Sequence, residues 1–129
     1  MRKIVILGLA ALATALLVGI PTASAKGGDA AVIKQGNCSR SSDWKLKLKF
    51  DDGRIETEFE VDQNRVGRRW RVVLRRDGNV VFHGIRVTRP PSGSFEVRRL
   101  LRNTAGRDRV VATARALATG EVCRGVATI

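Results

Sequence analysis

Few residues in this chain can carry chemistry, and most of them are arginines. The only histidine, His83, lies beside Gly84, and the two cysteines are Cys38 and Cys123. A histidine can activate a serine or cysteine nucleophile, but only within a positioned constellation of nucleophile, base and orienting group. No G-x-S-x-G elbow accompanies His83 in the sequence. Two cysteines and one histidine do not fill a zinc site without carboxylate help. Glu56, Glu58 and Glu60 alternate with Ile55, Thr57, Phe59 and Val61. They therefore share the wet face of one strand rather than facing each other across a cleft, as glycoside hydrolysis requires. Glycine-rich phosphate loops and metal motifs are missing from the sequence. The reading is a non-enzymatic protein, with no catalytic residue, metal or cofactor.

The arginines are what remains. The 129-residue chain carries 24 Lys and Arg against 12 Asp and Glu, a net charge of +12. Arg69, Arg71 and Arg75 alternate with Trp70, Val72 and Leu74, so they form an outward row on one strand. Arg109 and Arg115 extend that row if their strand pairs beside it. The guanidinium offers a bidentate fork suited to carboxylate and phosphate. The five arginines are the candidate anion-binding set, and anionic cell-wall or extracellular polymers are the expected partners. The competing reading is charge scattered for solubility, since net charge alone is a weak indicator of partner. No nucleic-acid recognition motif is present, so specific nucleic-acid binding is not expected. A second function class is a small secreted hydrolase or inhibitor acting through the loops Asp62–Gly67 and Arg89–Gly93.

The N-terminus indicates the compartment. Arg2 and Lys3 precede an apolar run from Ile4 to Ile20, and Ala23-Ser24-Ala25 provides small residues for a signal peptidase. Residues 1–25 read as a cleaved secretory signal helix, which predicts a secreted, extracellular protein with no lasting membrane insertion. Cleavage removes two of the 24 basic residues and none of the 12 acidic ones, which leaves +10. In an oxidising compartment, Cys38 and Cys123 are expected to form one disulfide. The domain plan is a signal peptide over 1–25, a flexible lead-in over 26–37, and a disulfide-tied domain over 38–129.

Alternation defines the elements of that domain. Trp44, Leu46, Leu48 and Phe50 alternate with Lys45, Lys47 and Lys49, and Asp51-Asp52-Gly53 turns the chain into the Glu56–Glu60 strand. A row of lysines thus faces a row of glutamates. Trp70–Arg75 and Val80–Val87 form a central hairpin through Asp77-Gly78-Asn79. Gly84 is expected to be a bulge that shifts the inward positions from Val80 and Phe82 to Ile85 and Val87. Ser94–Arg99 is a further strand after the breaker Arg89-Pro90-Pro91-Ser92-Gly93. Asp108–Ala118 and Glu121–Thr128 complete about seven antiparallel strands, a spacing that suggests a sandwich.

With Trp70 in the third core strand and Asp108-x-Val110-x-Ala112-x-Ala114 in the sixth, the pattern resembles an immunoglobulin-like or fibronectin-III-like sandwich. Tyrosine is absent, and Ala114 stands where antibody-type domains carry their second cysteine. The resemblance therefore implies architecture alone. The Arg-, Ala- and Val-rich composition is similar to that of small, uncharacterised secreted proteins of high-GC Gram-positive bacteria.

Overall fold

The computed structural model describes residues 30–129. The expected signal peptide and the start of the lead-in lie outside the described residues. Eight strands follow in order: β1 (Ala31–Asn37), β2 (Asp43–Asp51), β3 (Arg54–Asp62), β4 (Arg69–Arg76), β5 (Asn79–Val87), β6 (Ser94–Arg102), β7 (Arg109–Ala116) and β8 (Val122–Thr128). They form two antiparallel four-stranded sheets, ordered β1-β2-β3-β6 and β5-β4-β7-β8. The eighth strand, beyond the seven expected, is β1. Its sequence AVIKQGN has no alternation to reveal it, yet it pairs with β2 along its whole length. Among the described residues no helix is long and apolar enough to cross a membrane.

The core lies between the sheets and follows the alternation. Leu46, Leu48, Ile55, Phe59, Val61, Trp70, Val72 and Leu74 are fully buried, as are Val110, Ala112 and Ala114. Fully burying an aliphatic or aromatic side chain of this size is worth about 1.5–3 kcal/mol. Trp70 is the largest of them. Its ring lies 6.1 Å from that of Phe95, and its indole N–H donates to Gln63 Oε1 at 2.9 Å. The alanines of β7 leave room for this ring, because Ala114 and Ala116 lie opposite Val72 and Trp70 in the ladder.

The hairpin β4–β5 departs from expectation. The register shifts between Leu74 and Arg75: Leu74 pairs with Phe82 and Arg75 with Val80, so the extra residue is Val81 and not Gly84. Ile85 and Val87 then stand opposite Arg71 and Arg69 on the outer face. The inward positions of β5 are Phe82, Gly84 and Arg86, opposite Leu74, Val72 and Trp70. An inward arginine is tolerated because β5 is an edge strand, so its head group reaches the open side of the sandwich.

The two sides of the sandwich are finished differently. On the β1–β8 side, Cys38 and Cys123 are bonded, with Cα atoms 4.3 Å apart and a sequence separation of 85. The Trp44 ring fills the space beside Gly125, where an added Cβ would come within 2.5 Å of the ring. The buried Glu121 carboxylate ties the β1–β2 turn to the same corner. It accepts hydrogen bonds from the backbone N–H of Arg40 and Ser42 and from the Ser42 hydroxyl at 2.8–3.1 Å. The β5–β6 side has no disulfide. Phe82 is covered there by the guanidinium groups of Arg86 and Arg99, 4.9 and 4.2 Å from the ring centroid.

Candidate functional site

The outward faces of the two sheets carry their charge in different ways. On the first sheet the register sets Lys45 opposite Glu60, Lys47 opposite Glu58 and Lys49 opposite Glu56, as the alternation predicts. Lys47 reaches Glu58 at 3.6 Å. Arg98 on β6 adds a bidentate fork to Glu56, with Nε and Nη2 each 3.2 Å from a carboxylate oxygen. The Arg98 guanidinium holds the Glu56 carboxyl below its ordinary value, while burial pushes the neighbouring Glu58 carboxyl up. The middle of this face neutralises itself, while towards its ends Glu60 stands opposite Glu96 and Arg54 opposite Arg102 on the β3–β6 ladder.

The second sheet has no such partners. Its outward positions are Val80, His83, Ile85 and Val87 on β5; Arg69, Arg71, Val73 and Arg75 on β4; Arg109, Val111, Thr113 and Arg115 on β7; and Val122, Arg124, Val126 and Thr128 on β8. No Asp or Glu occurs among them. The ladder places Arg71 directly opposite Arg115, and both are exposed. Like charges opposite each other oppose pairing. Thr113 pairs with Arg124 one row along, which adds a sixth arginine to the face. The β-strand rise sets Arg69 and Arg75 about 20 Å apart.

The strands hold these head groups outward by burying what alternates with them. Trp70, Val72 and Leu74 fix β4, and Ala112, Ala114 and Ala116 fix β7. The strand ends are tied as well. Asp77 Oδ1 accepts from the backbone N–H of Arg109 at 2.9 Å, and the backbone N–H of Leu117 donates to the Arg69 carbonyl at 3.0 Å. The arginine positions are thus set by backbone and core, and their guanidinium groups extend from a fixed base.

Comparisons with protein-family models, curated proteins and solved structures returned no match to this chain.

The five arginines predicted from the sequence therefore share one face. Arg69, Arg71 and Arg75 come from β4, and Arg109 and Arg115 from the adjacent β7. Arg124 was not foreseen, because a single arginine in the short stretch CRGV gives no row of its own. His83 lies on the exposed face opposite Val73, and a hollow of about 270 Å³ beside it is lined by Arg71, His83, Gly84 and Ile85. The two loops named as an alternative site, Asp62–Gly67 and Arg89–Gly93, meet at one end of the sandwich. Buried Thr88 joins them, accepting from the Arg68 N–H at 2.9 Å and donating to the Arg65 carbonyl. Gly93 packs so tightly there that an added Cβ would come within 2.3 Å of the Arg65 backbone. A small hollow of about 90 Å³ there is lined by Gln63, Arg65 and Arg68 among others, and Asp62 borders a larger one of about 620 Å³ together with Trp44, Lys45 and Glu60.

Proposed function

We propose that this chain is an exported, non-enzymatic binding module that holds anionic cell-wall or extracellular polymers on the arginine face of its second sheet. One observation carries the reading: three neighbouring strands present six arginines outward and the whole sheet face carries no carboxylate, although on the opposite sheet Lys45, Lys47 and Lys49 stand opposite Glu60, Glu58 and Glu56. Charge added only for solubility gives no reason for such segregation. A polymer with one negative group per repeat engages a flat, extended array better than a compact ligand does, because each additional contact is made at high effective concentration.

Export is supported by the signal-like N-terminus and by the disulfide, which persists in oxidising compartments. An immunoglobulin-like architecture is supported by the strand order. β3 pairs with β6, and β4 pairs with both β5 and β7, so the central strands of each sheet join distant parts of the chain in Greek-key fashion.

The test is retention on a polyanion column and on isolated cell wall across a salt gradient, compared with a protein in which Arg69, Arg71 and Arg75 are changed to Glu. Exposed charges are screened over about 8 Å at physiological ionic strength, so elution should track salt. The proposal expects late elution of the natural protein and early elution of the variant. Equal retention of the two proteins contradicts it.

A further inference from the structure

The open β5–β6 side holds a cleft of about 380 Å³ along the free edge of β6, separate from the arginine face. Arg86 and Arg89 line it from β5 and the loop that follows; Phe95, Ser94 and Glu96 line it from β6, and Glu60 from β3. Its volume falls within the range of small-ligand sites. The charges around it are not matched with one another. Among the described residues none of Arg86, Arg89, Glu60 and Glu96 takes part in an ion pair. Glu60 and Glu96 stand directly opposite each other across the β3–β6 ladder, an arrangement that costs stability. Elsewhere on the same sheet the carboxylates Glu56 and Glu58 are paired with Arg98 and Lys47. Two guanidinium groups and two carboxylates, none of them ion-paired, therefore border one cavity with Phe95 in its lining; the Arg86 head group donates one hydrogen bond to the Ile85 carbonyl at 3.0 Å and lies over the Phe82 ring.

Such a lining suits a ligand that offers an oxyanion to the arginines and several hydroxyl donors to the carboxylates. Guanidinium forks take carboxylate or phosphate oxygens, and carboxylates accept short, strong hydrogen bonds from hydroxyl groups. We infer that this cleft binds one sugar unit bearing an acidic group, either a carboxylate or a phosphate. Of the cleft's lining only Val87 belongs to the outward face of the second sheet, and none of the six arginines of that face does, so the inference stands or falls independently of the arginine face.

The experiment titrates the purified protein with glucuronic acid and with glucose 6-phosphate, using glucose and inorganic phosphate as controls. Saturable one-site binding of one or both acids is expected, at least tenfold tighter than either control, and the preferred acid identifies the group. Arg86→Gln and Arg89→Gln should each weaken binding at least tenfold; Arg89 is exposed on a loop, so the second variant keeps its fold. Glu96→Gln decides between explanations. If charge alone attracted the ligand, removing this carboxylate would tighten binding. If Glu96 accepts sugar hydroxyls, the variant should bind at least tenfold more weakly. The glutamate variant of Arg69, Arg71 and Arg75 should bind as the natural protein does. Binding unchanged or tighter in Glu96→Gln, or no saturation with either acid, overturns the inference.

Discussion

Arg71 stands directly opposite Arg115 across the β4–β7 ladder, and the face they share carries no acidic residue. Cross-strand pairs of opposite charge contribute roughly 0.2–1 kcal/mol, and like pairs cost stability. The β2–β3 ladder makes the favourable choice at Lys45, Lys47 and Lys49. The same chain therefore sets opposite charges across the β2–β3 ladder and forgoes such pairing across β4–β7.

Changing Arg115 to Glu should convert this opposition into attraction. The variant is expected to be more stable by roughly 0.2–1 kcal/mol in urea unfolding. It should also elute earlier from a polyanion column. A lower unfolding midpoint would mean that Arg115 has a structural role.

Trp70 anchors the core, fully buried against Phe95 and hydrogen-bonded to Gln63. Trp70→Ala should cost about 3–5 kcal/mol, as aromatic truncation in a packed core does. That is a large share of the stability of a small domain. Chemical denaturation measures it, and an unchanged midpoint would place the tryptophan outside the core.

The sequence made this core legible because inward apolar residues alternate with outward charged ones along β2, β3 and β4. Where contrast fails, so does the reading. Val80, Val81 and Phe82 are all apolar, so period 2 cannot locate the bulge, and it falls at Val81 rather than Gly84. Arg86 has the composition of a surface residue and the register of an inward one, a placement that only the open sandwich edge explains. The requirement for glycine at position 125 arises from the ring of Trp44, 81 residues earlier, and nothing local records it. Of the arginine face, the β4 row is evident from alternation. Its continuation through Arg109 and Arg115 depended on strand pairing.

The Cys38–Cys123 bond closes a loop spanning 85 residues of sequence. On the chain-entropy account such a closure contributes roughly 4–5 kcal/mol, through restriction of the unfolded chain. Reduction should lower the melting temperature substantially without altering the polyanion elution of protein kept folded. Two alkylatable thiols in the unreduced protein would contradict the bond.

Glu56 predicts a pH dependence. Arg98 holds its folded pKa below the ordinary 4.5, so its contribution is present above that value and is lost as pH falls through the folded pKa. Glu58 is shifted upward by burial, so its contribution has the opposite sign and is lost as pH rises through its folded pKa. Glu56→Gln removes the first effect and weakens the second, because the Glu56 carboxyl also helps to raise that of Glu58. The variant should melt below the natural protein at neutral pH, and the difference should close as pH falls below 4.5. A difference independent of pH would contradict the role given to Arg98.

On the proposed reading, binding belongs to one face and does not follow net charge. Two triple variants test it directly, one with Arg69, Arg71 and Arg75 changed to Gln and the other with Lys45, Lys47 and Lys49 changed to Gln. Each removes three positive charges, the first from the unpaired face and the second from the paired one. The salt concentration that elutes each protein from a polyanion column is the measurement, with cooperative unfolding confirmed for both. The arginine variant should elute at markedly lower salt, and the lysine variant close to the natural protein. Equal shifts in the two variants would show that the arginine face has no binding role of its own.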